Sequence, residues 1–448
     1  MNMIEIKCGF AARDITPDIG IVMDGFASRE GPSTGILDNL YVRAVIFVRQ
    51  FVSFVLVSYD SIGLPEPIYN TISEKISRCF NIPVSSILLA ATHTHSAPAA
   101  GILKDIPIDR NYWDQVGEAT INAVKEAIKC ARPAQFDVNV GEITFPINRR
   151  EKTDNGIVLG ENSEAYTDRM VRVVRVIDEK SELLGVIVHA SCHPLTLPGS
   201  NREISADFPG RFCKEISDAY PDLTVLFLNG SAGDVSPRKY MGEKPHDVLK
   251  RASNELANVV LKLLQKDFIG LKPRAEIMKS TKHYINVPIE DLPARDILIN
   301  KVQDLNAKLL NTETEVQKYI LTRYFNWYSD AVKRKDENTG SQYVDVPIQA
   351  FMPVEGILFL ALPFEVFSST GAELVDYLCS IGFDKNSVFV CSYSNGVYGY
   401  LVPAYALSEG GYEPDESYLW YDLPGRYAAD AEKFVQKQCL NMVVEILN

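Results

Sequence analysis

The feature of the chain that most constrains its fold is a repeated layout of short apolar runs. Each run is rich in β-branched residues and ends abruptly in a few polar residues, and the next segment usually opens with proline or glycine. Buried strands with polar residues at their carboxyl ends are typical of an α/β domain whose site lies beyond the strand ends. The six runs are FVSFVLVSYDSIGLP, ending at Asp60; SSILLAATHTHSAP, at His93 and His95; LLGVIVHASCHPLTLP, at His189 and His193; LTVLFLNGSAGDVSP, at Asp234 and Ser236; GILFLALPFEVF, at Glu365; and NSVFVCSYSNGVYGY, at Asn395, Tyr398 and Tyr400.

Helical patterns lie between these runs. They occur at 68–79, 111–131, 208–219 and 246–265, and a last one closes the chain. Residues 295–335 predict one or two long, highly charged amphipathic helices, which we interpret as an insertion. Because no Pro/Ser/Gly linker divides the chain, we predict a single catalytic domain over 1–448, built as α/β with mixed β-sheets and flanking helices and carrying the insertion at 295–335.

Composition and charge exclude several classes of protein. The net charge of -13 is spread along the chain, without the basic cluster that a phosphate backbone requires, so nucleic acid is not an expected partner. No window reaches the roughly 18 continuous apolar residues of a membrane span. The N-terminus has no signal-peptide pattern, so we expect a cytoplasmic protein, with secretion as the alternative if a leader was removed. The eight cysteines show no C-x-x-C spacing and are expected to be free thiols.

Histidines cluster at two of the predicted strand ends. His93 and His95 can face the same way on an extended chain, and His189 and His193 follow a second strand, so four of the six histidines fall at two places. Zinc prefers imidazole nitrogen and carboxylate oxygen. The alternative is a set of histidines that hydrogen-bond loop carbonyls. Cys192, a thiol without a partner, is interpreted as a buried small side chain rather than a ligand.

Other candidate residues have equally ordinary interpretations when taken alone. Glu365 follows Pro363 at a predicted helix start, where glutamate is commonly a surface residue favoured by the helix dipole. Asp234 could cap a tight turn, and Ser236 lacks the G-x-S-x-G elbow of an α/β-hydrolase nucleophile. The remaining two histidines lie in polar, surface-like contexts and are expected to be solvated or structural: His246 and His283.

Taken together, the motifs resemble the neutral/alkaline (non-lysosomal) ceramidases. The stretches DITPDIG, THTHSAP, INR, HPLTLP, GDVSP, LPFEVF and YGYLVPAYALSEGGYE occur in the order of that family and at about its separations, from about residue 8 to residue 440. The combination of THTHS with GDVSP is far more specific than any single motif. The chain departs from the family pattern in reading LPFE where a Pro-Gly-Glu is common. It is also shorter than typical ceramidases, and we expect it to lack their C-terminal β-sandwich domain.

The resemblance implies a single zinc ion and its ligands. The implied ligands are His93, His193, Glu365 and Tyr400. It also implies that His95 lines the substrate pocket, where an imidazole is the natural proton carrier to a departing amine. We expect Asp234 to lie at the substrate site and, with Asp60, to orient the imidazoles.

The resemblance further implies the residues that contact the amide. Arg149, in PINRR, lies near the scissile bond, together with Ser236 of GDVSP. Tyr412, twelve residues after Tyr400, hydrogen-bonds the carbonyl oxygen, and Gly25, in MDGFASR, approaches the substrate. Donors of this kind stabilise a developing oxyanion by about 3 kcal/mol each.

The expected function is zinc-dependent hydrolysis of a linear N-acyl amide by attack of a zinc-bound water, with ceramide the nearest named substrate in sphingolipid metabolism. Two alternatives stay open. The same site could cleave a different small soluble amide or an ester, or the chain could be a catalytically silent binding protein. The sequence gives neither the acyl-chain length nor the oligomeric state.

Overall fold

The computed structural model describes residues 6–50, 52–103, 105–271 and 278–447. The strands of this part of the chain are β1 (Lys7–Asp14), β2 (Gly35–Ile36), β3 (Tyr41–Arg49), β4 (Val52–Tyr59), β5 (Ile87–Ala91), β6 (Arg132–Pro133), β7 (Gln135–Glu142), β8 (Pro146–Thr153), β9 (Gly156–Asn162), β10 (Met170–Ile177), β11 (Leu183–Ala190), β12 (Glu203–Ile204), β13 (Thr224–Asn229), β14 (Val235–Pro237), β15 (Lys279–Pro288), β16 (Tyr343–Val354), β17 (Ile357–Ala361), β18 (Glu365–Val366), β19 (Val388–Cys391) and β20 (Tyr400–Leu401). The α-helices are α1 (Glu66–Phe80), α2 (Arg110–Cys130), α3 (Asp207–Ala219), α4 (Pro245–Leu264), α5 (Arg295–Leu310), α6 (Glu315–Asp336), α7 (Ser368–Ser380), α8 (Ala404–Glu409), α9 (Tyr412–Asp415), α10 (Ser417–Trp420) and α11 (Ala431–Leu447).

Three sheets of four or five strands form the framework. Their strand orders are β5-β4-β3-β1-β6, β13-β11-β10-β7 and β15-β16-β17-β19. Each sheet is antiparallel except at one edge, where β4 pairs in parallel with β5, β11 with β13, and β17 with β19. This arrangement confirms the expected α/β fold with mixed sheets and flanking helices.

The parallel edges of the three sheets meet at their carboxyl ends. Asn229, the last residue of β13, donates from Nδ2 to the backbone oxygens of Thr92 and Cys192, both at 3.1 Å. Its own backbone oxygen accepts a hydrogen bond of 3.1 Å from the amide of Ser392, which follows β19. The buried residue Asn229 therefore links the ends of β5, β11, β13 and β19 through its side chain and its backbone, and the predicted site residues follow these ends.

A shared apolar core holds the sheets in this relation. It includes Phe47 of the first sheet, Leu226 of the second and Phe359 of the third, each at most 1% exposed. Burying a side chain of this size contributes about 1.5–3 kcal/mol. Since all three sheets contribute to the same core, the strand ends that carry the site are held in place by packing.

The helices confirm the pattern read from the sequence. Helices α1, α2, α3 and α4 lie within two residues of the predicted bounds, and α11 closes the described chain. Asp109 caps α2 by accepting a hydrogen bond of 3.0 Å from the amide of Tyr112. The 295–335 region forms two helices, α5 and α6, with an ion pair between Arg295 and Asp336 joining the start of one to the end of the other. They are therefore an antiparallel hairpin.

Two further expectations can be compared with the described residues. No helix there has both the length and the apolar character needed to cross a bilayer. All eight cysteines are free, and five of them are buried.

Candidate functional site

Three imidazoles converge beyond the carboxyl ends of β5 and β11. Nε2 of His93 lies 3.2 Å from Nε2 of His193 and 3.3 Å from Nε2 of His95. One ring nitrogen from each of the three histidines lies within 4.8 Å of the other two, the only such group of histidine, cysteine or carboxylate residues within the described ranges. Two of the predicted ligands, and the predicted proton carrier, are thus brought together.

Backbone carbonyls fix the tautomer of each ring. Nδ1 of His93 donates to the oxygen of Ile62 and Nδ1 of His193 to that of Ala232, both at 2.6 Å, and Nδ1 of His95 donates to Gly25 at 2.9 Å. Because a carbonyl oxygen can only accept, the ring proton of each neutral imidazole sits on Nδ1. The three Nε2 atoms therefore present lone pairs to one another.

A buried carboxylate completes this group. Oε2 of Glu365 lies 2.9 Å from Nε2 of His193 and 3.4 Å from Nε2 of His93. Glu365 begins β18 and is 2% exposed. Burial raises the pKa of Glu365, and only positive charge beside it, at His93 and His193, would hold that pKa well below its usual value. Burial also lowers the pKa of His193, to about 4, so this imidazole is neutral at pH 7.

The resulting arrangement fits a metal cation. Two lone pairs and a carboxylate oxygen face one another at 2.9–3.4 Å without a proton between them, an arrangement that is repulsive unless a cation is shared. A tetrahedral ion with bonds of about 2.0–2.1 Å would set its ligand atoms about 3.3–3.4 Å apart. Two of the three separations found, 3.2 and 3.4 Å, are close to this value, and the third, 2.9 Å, is shorter. Imidazole nitrogen with carboxylate oxygen is a donor set that suits zinc.

His95 is held by Gly25, the glycine that is predicted to approach the substrate. Gly25 has φ +101, and a Cβ added there would lie 2.8 Å from Cβ and Nδ1 of His95. The loop is fixed by Arg29, which donates to the backbone oxygens of Asp24, at 2.5 Å, and His95, at 2.6 Å. A side chain at position 25 would therefore displace the His95 ring.

Arg149 and Tyr400 lie together beside the carboxylate. Tyr400 pairs with Glu365 in the parallel strands β18 and β20. Its hydroxyl oxygen accepts a hydrogen bond of 2.9 Å from Nη2 of Arg149. Glu413 bridges two guanidinium groups, accepting at 2.9 Å from Nε of Arg149 and at 2.6 Å from Nη1 of Arg150. Tyr400, a predicted ligand, thus lies next to Glu365, and the buried guanidinium of Arg149 holds its hydroxyl.

The other predicted residues lie around this centre at different distances. The Tyr412 ring packs edge-on against Tyr400, with centroids 5.9 Å apart. Ser236 lies in β14 opposite Ile147 and makes no side-chain hydrogen bond within the described chain. Asp234 is buried, which raises its pKa to about 6. The catalytic roles of Tyr412 and Ser236 and the substrate-binding role of Asp234 stay predictions.

Both expected orienting interactions, those of Asp234 and Asp60 with the imidazoles, are wrong. Asp234 accepts hydrogen bonds of 2.7 Å from Asn148 Nδ2 and from the amide of Ser368, and no imidazole contacts it in the described residues. Asp60 accepts from Arg43 Nη1 at 2.8 Å and from the amide of Tyr41 at 2.9 Å. Backbone carbonyls orient the imidazoles instead, because the polar strand-end loops turn their own oxygens inward.

The other histidines and the neighbouring thiol lie outside the group. His189 is still within β11, and its Nε2 donates to the oxygen of Val390 at 3.0 Å. His246 and His283 are exposed, as expected, and His283 pairs with Glu445 at 3.1 Å. The side chain of Cys192 belongs to an apolar core cluster.

Two tyrosines that the sequence did not single out contact the carboxylate. The hydroxyl of Tyr421 donates to Oε1 of Glu365, and that of Tyr393 donates to Oε2 at 3.5 Å. Tyr393 also stacks on His93, with centroids 3.9 Å apart. The only sequence signal was the local density of tyrosine between 393 and 421. Buried tyrosines usually find a polar partner, but the sequence does not say which one.

Comparison with known proteins follows the same motifs. Residues 6–285, more than half of the chain, match the family model described as "Neutral/alkaline non-lysosomal ceramidase, N-terminal". Neutral ceramidase of Drosophila melanogaster is 23% identical over 266 residues, which is 53% of this chain and 37% of that protein. Neutral ceramidase A of Dictyostelium discoideum is 23% identical over 256 residues, 52% of this chain and 36% of that protein. These matches therefore span well under half of the relatives' own lengths.

Solved structures share the fold over nearly the whole chain. The crystal structure of neutral ceramidase from Pseudomonas aeruginosa has a TM-score of 0.72 at 17% identity, covering 98% of this chain and 74% of that chain. A structure described as a ceramidase complexed with C2 has a TM-score of 0.73 at 15% identity, covering 98% of this chain and 75% of that chain. At these identities the likeness establishes the architecture.

Proposed function

Because the chain belongs to the neutral/alkaline non-lysosomal ceramidase family, we propose that it hydrolyses the amide bond of a ceramide-like N-acyl amine to a fatty acid and an amine. The observation that carries the proposal is the meeting of three Nε2 lone pairs with a buried carboxylate oxygen at one strand-end site. The names of the relatives point to ceramide as the substrate class.

We propose zinc as the ion that this site holds. The residues that would hold it are His93, His193, Glu365 and Tyr400. A zinc ion supplies Lewis-acid chemistry, since it lowers the pKa of water to about 7 and polarises a carbonyl. The chain's contribution is a fixed donor set: carbonyls hold the imidazoles, and two tyrosine hydroxyls hold the carboxylate.

Arg149 and Tyr412 are proposed to act on the amide carbonyl and its surroundings. Burial raises the pKa of Tyr400 well above its usual value, and Arg149, which donates to the Tyr400 oxygen, opposes this by favouring a negative charge there. Tyr412 is half-buried next to Tyr400, so its hydroxyl is placed to donate to a substrate oxygen. A donor aimed at a developing oxyanion contributes about 3 kcal/mol.

His95 is proposed to move a proton at Nε2. Its Nδ1 proton is committed to the oxygen of Gly25, so Nε2 is the atom that can take a proton and give it to the departing amine nitrogen. His95 is more exposed than His93 and His193, which is what a group that meets the substrate requires. However, Nε2 of His95 lies 3.3 Å from Nε2 of His93, close enough for both atoms to bind the same ion. Measuring whether a His95→Ala variant retains zinc therefore distinguishes a role in proton transfer from a role in metal binding.

The experiment that tests this function is hydrolysis of a series of N-acyl amines, from N-acetyl amines to long-chain acylsphingosine. Each is assayed before and after chelation and after zinc is restored. Chelator-sensitive cleavage of the long-chain members would support a ceramidase. Cleavage of only short or polar amides would keep the chemistry and reject the lipid substrate. A protein that binds zinc and cleaves none of the series would refute the proposed function.

A further inference from the structure

The helical hairpin of α5 and α6 is hydrogen-bonded to residues 419–424, the segment that contains Tyr421. Arg323 of α6 is 4% exposed. Its Nε donates to the backbone oxygen of Leu419 at 2.9 Å, and its Nη2 donates to Oδ1 of Asp422 at 3.0 Å. The guanidinium thus holds one residue on each side of Tyr421. Its Nη1 also lies 3.9 Å from Asp105, in the loop after β5.

Two more donors of α6 continue the attachment. Nε1 of Trp327 donates to the oxygen of Leu423 at 2.9 Å, and Nη1 of Arg334 donates to the oxygen of Pro424 at 2.8 Å. The indole also belongs to a small apolar cluster that includes Leu298 of α5 and Leu419. The hairpin therefore contributes hydrogen bonds and buried apolar surface to the same short segment.

The segment has little regular structure of its own, and besides the hairpin it is held by Leu423, which packs in the apolar core of the third sheet. Helix α10 is only four residues long, and it is followed closely by Asp422 at φ +54, a left-handed conformation that aspartate adopts more readily than most residues and that ends regular structure. A short helix of this kind is unstable without tertiary packing. The position of Tyr421 thus depends on what holds the residues around it.

Tyr421 is the point at which the segment meets the site. Its hydroxyl donates to Oε1 of Glu365, and its ring lies 6.1 Å from that of Tyr400. Partners that orient a metal-binding side chain typically change metal affinity by 10- to 100-fold when removed. Anything that moves the Tyr421 backbone would therefore act on the carboxylate.

We propose that the α5–α6 hairpin is a positioning element of the site, in which Arg323 and Trp327 hold residues 419–423 so that Tyr421 orients Glu365. The inference rests on the proposed function, because it takes Glu365 to be a metal ligand. The inference goes beyond the proposed function because it assigns the α5–α6 hairpin a structural role in the site. Arg323 and Trp327 become positioning residues that touch neither substrate nor metal.

The variants that test this are Arg323→Lys, which keeps the charge but not the two-sided contact, and Trp327→Phe, which removes the indole donor. Arg295→Ala is the matched control, because it removes an exposed ion pair of the same hairpin whose hydrogen bonds, within the described residues, go to Asp336 and not to residues 419–423. We expect zinc affinity, measured by competition with a chromophoric chelator, to fall about tenfold in the first two variants and to stay unchanged in the control.

A double-mutant cycle separates positioning from general stability. In a Tyr421→Phe background the hydroxyl is already gone, so Arg323→Lys and Trp327→Phe should cost little further zinc affinity. Effects that simply add to that of Tyr421→Phe would overturn the proposal, as would unchanged affinity in both single variants. Should Arg323→Lys fail to fold, Trp327→Phe carries the test, since it retains an aromatic ring in the apolar cluster.

Hydrogen exchange of the metal-free protein keeps this test distinct from that of the proposed function. Faster exchange at residues 417–423 in Trp327→Phe, but not in Arg295→Ala, is the expected result whether or not any amide is cleaved. If the wild type binds zinc and cleaves nothing, the proposed function fails and the positioning result stands. If exchange at residues 417–423 is unaffected, the hairpin does not hold this segment and the inference fails.

Discussion

Replacing Gly25 by alanine tests how the site holds His95. The new Cβ would lie 2.8 Å from Cβ and Nδ1 of His95 and 2.9 Å from its Cα, closer than real Cβ atoms come to any neighbour. Position 25 also has φ +101, where an L side chain costs roughly 1–2 kcal/mol. The variant therefore combines backbone strain with displacement of the imidazole.

Gly20→Ala is a control that introduces the backbone strain without displacing the His95 imidazole. Gly20 has φ +95, but a Cβ there meets nothing within 4 Å. Both variants should thus lose about 1–2 kcal/mol of unfolding free energy to backbone strain. Only Gly25→Ala should also weaken the hydrogen bond from Nδ1 of His95 to the oxygen of residue 25, a further loss of about 1 kcal/mol.

The effect on turnover should differ more than the effect on stability. Misplacement of a catalytic group by about 1 Å can cost about 100-fold in rate. We expect kcat of Gly25→Ala on the best substrate of the acyl series to fall about 10- to 100-fold, and kcat of Gly20→Ala to match wild type. Unfolding curves and kcat are measured on zinc-loaded protein. Equal kcat for Gly25→Ala and wild type would refute the view that this glycine positions His95.

Three further substitutions test neighbouring parts of the account. Tyr412→Phe should lower kcat by about 100-fold, the effect of losing one oxyanion donor, and a variant of unchanged kcat would rule out that role. The zinc content of Tyr412→Phe should equal that of wild type. Cys192→Ser should keep full metal occupancy by elemental analysis, since the thiol lies in an apolar core, and loss of zinc would overturn the ligand set. Glu413→Gln should lower the unfolding free energy in denaturant by about 3–5 kcal/mol, because it leaves the buried guanidinium groups of Arg149 and Arg150 without their shared carboxylate. A loss below about 1 kcal/mol would mean that this pair is compensated elsewhere.

The sequence predicted the strand ends because their signal is local. An apolar run followed by THTHS or HPL marks where a buried strand stops, and the imidazoles of His93 and His193 do meet beyond those ends. The helices were equally local, with α1 to α4 found within two residues of their predicted bounds. The ligand set, which joins distant segments, was predicted from the family resemblance rather than from residue spacing.

What the sequence did not predict depends on contacts between distant segments. Tyr421 and Glu365 are brought together by the packing of the hairpin on residues 419–423, which no local pattern encodes. The imidazoles are held by carbonyls of Ile62, Ala232 and Gly25, and any residue has a carbonyl, so composition carries no signal for them. The single-domain organisation and the cytoplasmic location stay predictions.

The most direct test of the central claim is the metal content of the purified protein before and after zinc reconstitution, beside that of His193→Ala. The account predicts one zinc per wild-type chain and loss of that zinc in the variant, because His193 joins His93 to Glu365 within 2.9–3.2 Å. Glu365 and the facing lone pairs require a cation. Wild-type protein that takes up no metal on reconstitution, or a His193→Ala variant that keeps its zinc, would contradict it.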